Sequence, residues 1–354
     1  MRIAGLRCLE AVSLVPAPGI NVFVGDNGAG KTSILEAAFL LSHGRSFRAG
    51  SRDVLLKRGS NSLSVFAEVN SGHDQTRRLG LGREGSRWQA RVDGDAVSLG
   101  ALVQECAVVC FEPGSHDLIA GASEERRQFL DWGLFHVEHG FVNQWRRYQR
   151  ALKQRNALLR GGPPLDPGLI EPWESELASS GEALSAYRAG YLDRLVPHIQ
   201  AFMANMLPEL GTFALRYKPG WDESTDLATT LVERRGRDLG RGHTTAGPHR
   251  ADFTIAFEQA PLREHLSRGQ EKLCALACLL GQAALHAEIR GEWPVVCLDD
   301  LASELDRTHQ EWVVAQLLGR DVQVLVTGTE VPQALSSQPA TVFHVEQGGV
   351  TALL

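Results

Sequence analysis

The residues best suited to chemistry are Gly25-Asp26-Asn27-Gly28-Ala29-Gly30-Lys31-Thr32, which read GxxxxGKT. Glycines at this spacing let successive backbone N–H groups close around phosphate oxygens. Lys31 reaches the β- and γ-phosphates, and the Thr32 hydroxyl ligates Mg²⁺. These eight residues are the expected nucleotide cradle, with ATP and Mg²⁺ as its ligands. A second chemical group stands far downstream, where Pro294-Val295-Val296-Cys297-Leu298-Asp299-Asp300 is an apolar run ending in two acids. The pattern predicts a strand neighbouring the one that feeds the phosphate loop. Asp299 would hold Mg²⁺ directly or through water, and Asp300 would orient the attacking water as general base. Lys31 and Asp300 are therefore the catalytic candidates, and Thr32 and Asp299 the metal candidates.

A third motif decides which kind of phosphate-loop protein this is. Leu266-Ser267-Arg268-Gly269-Gln270-Glu271-Lys272 precedes the apolar stretch Leu273 to Leu285 and is similar to the ABC-type signature LSGGQ, with Arg268 replacing the first glycine. In such ATPases the signature acts from the opposite subunit. Ser267, the Gly269 amide, Gln270 and the helix N-terminus would grip the γ-phosphate bound by a partner's loop. Ala302-Ser303-Glu304-Leu305-Asp306, directly after the paired acids, is similar to the D-loop that crosses the same interface. Both motifs make sense only in a head that closes over ATP as a homodimer.

These groups need elements to hold them. Gly19 to Val24 reads as a strand entering the loop, and Ser33 to Leu41 as the helix leaving it. Ile3 to Val15 reads as an earlier strand. Ser62 to Val69, Arg77 to Leu81 and Trp88 to Val92 follow as an antiparallel meander beside the nucleotide strand, with Asp93-Gly94 as a hairpin turn. Ala107 to Phe111 is a buried strand by its unbroken apolar run. Phe213 to Tyr217, Phe253 to Phe257 and Val322 to Val326 read as further strands.

From Pro113 to Gly211 the texture is helical. Ser123-Glu124-Glu125-Arg126 resembles an N-cap with an acidic first turn. Phe141, Trp145, Tyr148, Leu152 and Leu159 form one apolar stripe, while Arg146, Arg147, Arg150, Lys153 and Arg160 fall largely on another face that carries no acid. That face is either a solvated surface or a phosphate-contacting one. Gly161 to Gly168 breaks the helix. A second helix, Glu171 to Met206, returns with Trp173, Leu177, Leu184, Tyr187, Tyr191 and Leu195 as core. The fold class is α/β: an ABC-type P-loop ATPase head, residues 1–112 and 212–354, with a mixed sheet and an antiparallel β meander. A largely helical lobe, residues 113–211, is inserted into it.

Bulk properties narrow the partners. The chain has 354 residues, 43% hydrophobic and 22% charged, with a formal net charge of −6. No global positive field draws in nucleic acid, so a polyanion must be held by a local patch. Arg45, Arg48, Arg52, Lys57 and Arg58 gather after the phosphate-loop helix, divided between contact and plain surface. Cys8, Cys106, Cys110, Cys274, Cys278 and Cys297 form no CxxC pair and read as buried small hydrophobes in a reducing cytosol. No apolar signal core or uninterrupted membrane-length apolar run is apparent, so a cytoplasmic protein without a membrane partner is expected.

Taken in order, several blocks resemble the bacterial RecF family of SMC-like ABC ATPases over essentially the whole chain. They are Gly25 to Thr32, Gly44-Arg45-Ser46-Phe47-Arg48, Glu125-Arg126-Arg127-Gln128-Phe129-Leu130-Asp131-Trp132, Gly247-Pro248-His249-Arg250, Ser267 to Gln270, and Leu298 to Asp300 followed by Ala302 to Asp306. The resemblance implies an ATP-dependent DNA-binding protein of recombinational repair and replication restart, with weak DNA-stimulated ATP hydrolysis used as a switch. It further implies binding to duplex, gapped or single-strand/double-strand junction DNA, and action with RecR and often RecO to load RecA.

The general ABC pattern is not followed throughout. Thr327-Gly328-Thr329-Glu330 stands where a transporter ATPase places a switch histidine, Asp300 is one methylene shorter than the usual glutamate, and Glu112-Pro113 occupies the place of a Q-loop glutamine. Two other readings stay open, an ABC transporter ATPase subunit and a P-loop kinase. The first lacks the switch histidine, and the second leaves Ser267 to Gln270 unexplained.

Overall fold

The computed structural model describes residues 1–48, 55–70 and 76–353. It opens with β1 (Arg2–Leu6), β2 (Leu9–Ser13), β3 (Ile20–Val24) and α1 (Lys31–His43). Then come β4 (Ser62–Asn70), β5 (Thr76–Glu84), β6 (Arg87–Val92), β7 (Asp95–Val97), α2 (Leu99–Gln104) and β8 (Val108–Phe111). The middle of the chain holds α3 (Asp117–Ala120), α4 (Ser123–Val137), α5 (Phe141–Arg160), α6 (Pro167–Met206), β9 (Phe213–Lys218), α7 (Leu227–Arg241) and β10 (Asp252–Phe257). Last are α8 (Arg268–Arg290), β11 (Val295–Leu298), α9 (Leu301–Glu304), α10 (Arg307–Leu317), β12 (Val324–Gly328), β13 (Ala340–Glu346) and β14 (Gly349–Leu353).

The chain divides into two compact units, Met1–Ser115 with Leu276–Leu354, and His116–Ala275. Residues 212–275, expected in the ATPase head, fall in the second unit. There β9 and β10 pair only with each other, from Phe213↔Phe257 to Lys218↔Asp252, and α7 packs on α5 and α6.

In the first unit, one sheet runs β2-β1-β4-β5-β6-β7 and is antiparallel throughout. The other runs β14-β13-β3-β12-β11-β8, parallel except for β14. Ile3 to Val15 is thus a hairpin rather than one strand, turning at Arg7, whose φ is 54°. The meander forms its own sheet instead of extending the nucleotide strand, because β3 already has parallel partners on both sides, β12 and β13. The turn at Asp93-Gly94 does join β6 to β7, with both residues at positive φ as a type I′ turn requires. The apolar core joins both sheets to α1. Ile3, Leu6, Val65 and Leu79 come from the first sheet, Ile34, Leu35 and Phe39 from α1, and Phe23, Leu325 and Phe343 from the second. Each such side chain contributes about 1.5–3 kcal/mol by leaving water.

One neighbour relation differs from expectation. The strand bearing the paired acids, β11, is not adjacent to β3, because β12 lies between them. The register Val22↔Val326 and Leu298↔Val326 nevertheless brings the carboxyl ends of β3, β12 and β11 to one edge, with β8 beside them through Leu298↔Phe111. Ligands of parallel α/β sheets bind at that edge.

The apolar helix α8 is also a correction. By length and composition it is apolar enough to cross a membrane, at a mean hydropathy of 1.3 over its most apolar window, although no such run was read from the sequence. Two thirds of that window is buried inside the protein, and Cys274 to Cys278 are all 0% exposed, so α8 is a core helix.

In the second unit, α5 and α6 lie antiparallel, as the pairs Phe141–Tyr187, Arg147–Glu176 and Arg150–Trp173 show. At 40 residues α6 spans about 60 Å. Phe141, Tyr148 and Leu159 are buried as expected, but Trp145 stands out of the stripe at 38% exposure. Ser123 is the first residue of α4 rather than its cap, which is Ala122. Two blocks that carried the family resemblance meet here. Arg126 forks onto the Asp252 carboxylate at 2.6 and 3.2 Å, Arg127 donates to the Ala251 carbonyl, and Asp131 pairs with Arg188, which also donates to the Pro248 carbonyl. His249 accepts from the Tyr148 hydroxyl at Nδ1 (2.6 Å) and donates from Nε2 to the Thr244 carbonyl. Burial pushes its pKa down to about 4, which keeps it neutral.

Candidate functional site

At the carboxyl edge of the parallel sheet lies a cavity of about 440 Å³, large enough for a nucleotide. Asn27, Gly28, Gly30, Lys31 and Thr32 line it from the phosphate loop, and Asp299, Asp300 and Thr327 from the ends of β11 and β12. Glycine is required in the loop on two counts. Gly30 has φ 116°, and a Cβ there would meet Leu9 at 2.7 Å and the Cys8 sulfur at 3.1 Å, while a Cβ on Gly25 would meet the Val345 carbonyl at 2.0 Å. Lys31 is 8% exposed, and its ammonium donates to the carbonyls of Gly25 (2.8 Å) and Asp26 (2.9 Å).

The paired acids are held by one hydroxyl. Thr327 Oγ1 donates to Asp299 Oδ1 at 2.6 Å and accepts the Asp300 N–H at 2.8 Å. Asp299 is 3% exposed, and burial raises its pKa, an effect offset by hydrogen bonds from Thr327 and Thr32 and by the charge of Arg48. Asp300 sits in the left-handed region (φ 54°, ψ 41°) and caps α9, its carbonyl accepting from Ser303 and Glu304.

The donor set suits a cation that keeps most of its ligands from elsewhere. Thr32 and Asp299 face each other across a hydrogen bond, and a buried carboxylate gains most from a divalent ion. No group of three or more His, Cys, Asp or Glu side chains that could hold a metal is found among the described residues. Two protein oxygens completed by phosphate and water is the habit of Mg²⁺.

Ser267, Gly269 and Gln270 do not line the cavity. They form a reciprocal cap at the start of α8: Gln270 N donates to Ser267 Oγ (3.3 Å), and Ser267 N to Gln270 Oε1 (3.0 Å). Ser267 and Gly269 are exposed. In the D-loop stretch, Asp306 caps α10 by accepting from His309 N at 3.0 Å.

Several lining residues were not assigned a place in the site from sequence. Arg7 and Cys8 come from the tip of the first hairpin, Glu112 and Pro113 from the end of β8, and Phe47 and Arg48 from the segment after α1. Buried Glu36 on α1 organises one wall. It receives a bidentate fork from Arg7 at 2.7 and 2.9 Å, a bond from the Ser46 hydroxyl, and the Arg48 guanidinium at 4.0 Å. Of the basic stretch, Arg48 therefore reaches the cavity, Lys57 pairs with Glu10, Arg45 and Arg58 are exposed, and Arg52 lies outside the described residues. The Glu36–Arg7 pairing had no local signal, because it joins residues 29 apart.

Cys8 corrects the expectation that all six cysteines are buried, since it alone of the six is exposed. Burial pushes the Cys106 thiol up to about 12. A maleimide added to the native protein is expected to label one thiol per chain, and saturating ATP to slow that labelling several-fold. Labelling that ATP leaves unchanged would show that nucleotide does not occupy this cavity.

Comparison with known proteins covers the whole chain. Residues 1–351 match the family model of the RecF/RecN/SMC N-terminal domain. The "DNA replication and repair protein RecF" of Stenotrophomonas maltophilia is 51% identical over 355 residues, covering 98% of this chain and 97% of that protein. Its namesake from Xanthomonas euvesicatoria is 50% identical over 359 residues, covering 99% and 97%. A solved structure of the recombination mediator protein RecF with ATP, in the RecFOR pathway, superposes with a TM-score of 0.90 at 26% identity, covering 100% of this chain and 96% of that one. Sequence and fold agree from end to end, and the chain belongs to the RecF family of the RecF/RecN/SMC group.

Proposed function

We propose that this chain is an ATP-gated dimeric clamp on DNA, acting in the cytoplasm in recombinational repair and replication restart. The observation that carries the reading is the convergence of Lys31, Thr32, Asp299, Thr327 and Asp300 on one nucleotide-sized cavity. The similarity to a RecF solved with ATP supports the ligand, and the name of the relatives supports the process.

In this reading the loop amides and Lys31 bind the phosphates, and Thr32 and Asp299 hold Mg²⁺, which neutralises charge on the β- and γ-oxygens. Asp300 orients water for hydrolysis. Thr327 fixes both acids from β12, taking the strand position after which a transporter carries its histidine. Ser267, Gly269 and Gln270 of a second copy cover the γ-phosphate, so hydrolysis loosens the dimer and releases duplex, gapped or junction DNA. RecR, and RecO with it, join the clamp upstream of RecA.

The test is ATP-dependent binding to gapped, duplex and single-stranded DNA across a salt series, with wild type and Lys31→Met. Wild type is expected to retain DNA only with ATP, with affinity falling steeply with salt. Lys31→Met is expected to lose both dimerisation and retention. Equal retention by the two proteins rules out nucleotide gating.

A further inference from the structure

The solvent face of α5 carries a row of positive charge that the nucleotide site does not use. Arg146, Arg150, Lys153 and Arg160 are all exposed, and they recur at steps of four, three and seven, which keeps them on one stripe of the helix. None of the four is ion-paired among the described residues. Arg147 is taken by Glu176 and Arg155 is buried, so both lie off the stripe. No acid occurs anywhere in α5. Arg150 stacks over Trp173, and the exposed Trp145 flanks the row. At its far end Arg160 packs against Gly242, the left-handed residue that ends α7, next to the exposed Arg241.

We infer that this stripe is a phosphate-backbone rail, the surface of the second unit on which DNA lies. The inference rests on the DNA-clamp reading above and adds where the contact is made. From Arg146 to Arg160 the row is about 21 Å long at 1.5 Å per residue. That matches about six phosphates of one duplex strand at ~3.4 Å per step along the axis. An acid-free face is unusual in a chain of net charge −6, and a polyanion is the occupant it complements. The flanking Trp145 offers a flat apolar surface to an unpaired base, which suits DNA containing a single-stranded segment.

The test is the variant Arg146→Gln/Arg150→Gln/Lys153→Gln/Arg160→Gln. All four side chains are exposed, so its thermal transition should match wild type. Binding to a gapped duplex, with ATP, is measured by anisotropy from 50 to 300 mM salt. The expected result is an affinity at least about tenfold weaker near physiological salt and a log–log salt slope shallower by about 3, with ATP-dependent dimerisation and DNA-free ATP turnover unchanged. Loss of affinity without a change in slope overturns the inference, because the contact would not be to phosphate. An unchanged affinity and slope also overturns it and assigns the stripe to an acidic protein partner. Failure of the wild-type chain itself to bind DNA refutes the clamp reading instead, which separates the two.

Discussion

Replacing Asp300 with Asn is expected to slow ATP turnover by about 10²–10⁴-fold, the usual contribution of a positioned general base, while leaving ATP binding intact. The substitution is a clean probe for a structural reason. Asp300 holds φ 54° and ψ 41°, a region that Asn tolerates as readily as Asp and that most other residues enter only at a cost of about 1–2 kcal/mol. Its structural bonds are made by the backbone, the N–H to Thr327 and the carbonyl from Ser303 and Glu304, so the amide preserves them. What it removes is the negative oxygen that accepts a proton from water. If hydrolysis times release, the variant should accumulate as an ATP-bound dimer in sedimentation and hold DNA longer. Turnover within a few-fold of wild type would take Asp300 out of that role. A dead but monomeric variant would break the link between hydrolysis and dimer lifetime.

The second large effect concerns stability. Arg155 is 0% exposed, and its guanidinium donates to Asp238 (2.7 Å), Glu174 (2.9 and 3.2 Å), Thr244 (2.9 Å) and the Leu231 carbonyl (3.2 Å). It ties α5, α6, α7 and the segment after α7 together at one point. Arg155→Ala leaves Asp238, itself 0% exposed, as a buried charge with only Thr245 to support it. Glu174 keeps Arg235, at 2.5 Å. Removing one partner of a buried pair costs about 3–5 kcal/mol, which in a unit of this size lowers Tm by about 10 °C. Arg155→Lys keeps the charge but cannot fork onto both carboxylates, so it should fall between Ala and wild type. Calorimetry decides the matter, and a shift of Tm under about 2 °C for Arg155→Ala would mean that the buried carboxylates find other compensation.

Much of the nucleotide side was legible in the residues because its chemistry is local. A glycine loop between a strand and a helix, and two acids at the end of an apolar strand, announce themselves within a few positions. What was not legible depended on distant pairing. Arg7 enters the cavity only because the first apolar stretch folds back at a residue of positive φ. Thr327 became a positioning group only once β12 was seen between β3 and β11. Helix α7 was missed because its buried face runs Leu227, Leu231 and then Asp238. An aspartate satisfied by Arg155 breaks the apolar period on which helix reading depends. The hairpin of β13 and β14 did carry a signal, Phe343 and Val345 alternating inward before the Gln347-Gly348 turn. The polar stretch from His243 to Asp252 looked like a surface turn, yet Thr244, Ala246 and Pro248 are buried, because their partners lie on α5 and α6.

Lys31 gives nucleotide binding a particular character. Its ammonium already has two resting partners in the free chain, the carbonyls of Gly25 and Asp26, and these lie in the very loop that receives the phosphates. Entry of ATP is therefore an exchange reaction rather than an addition, with phosphate oxygens competing against neutral carbonyl dipoles for one buried cation. The observed affinity is the difference between two satisfied states, while the intramolecular ligands keep the empty loop open in its working shape.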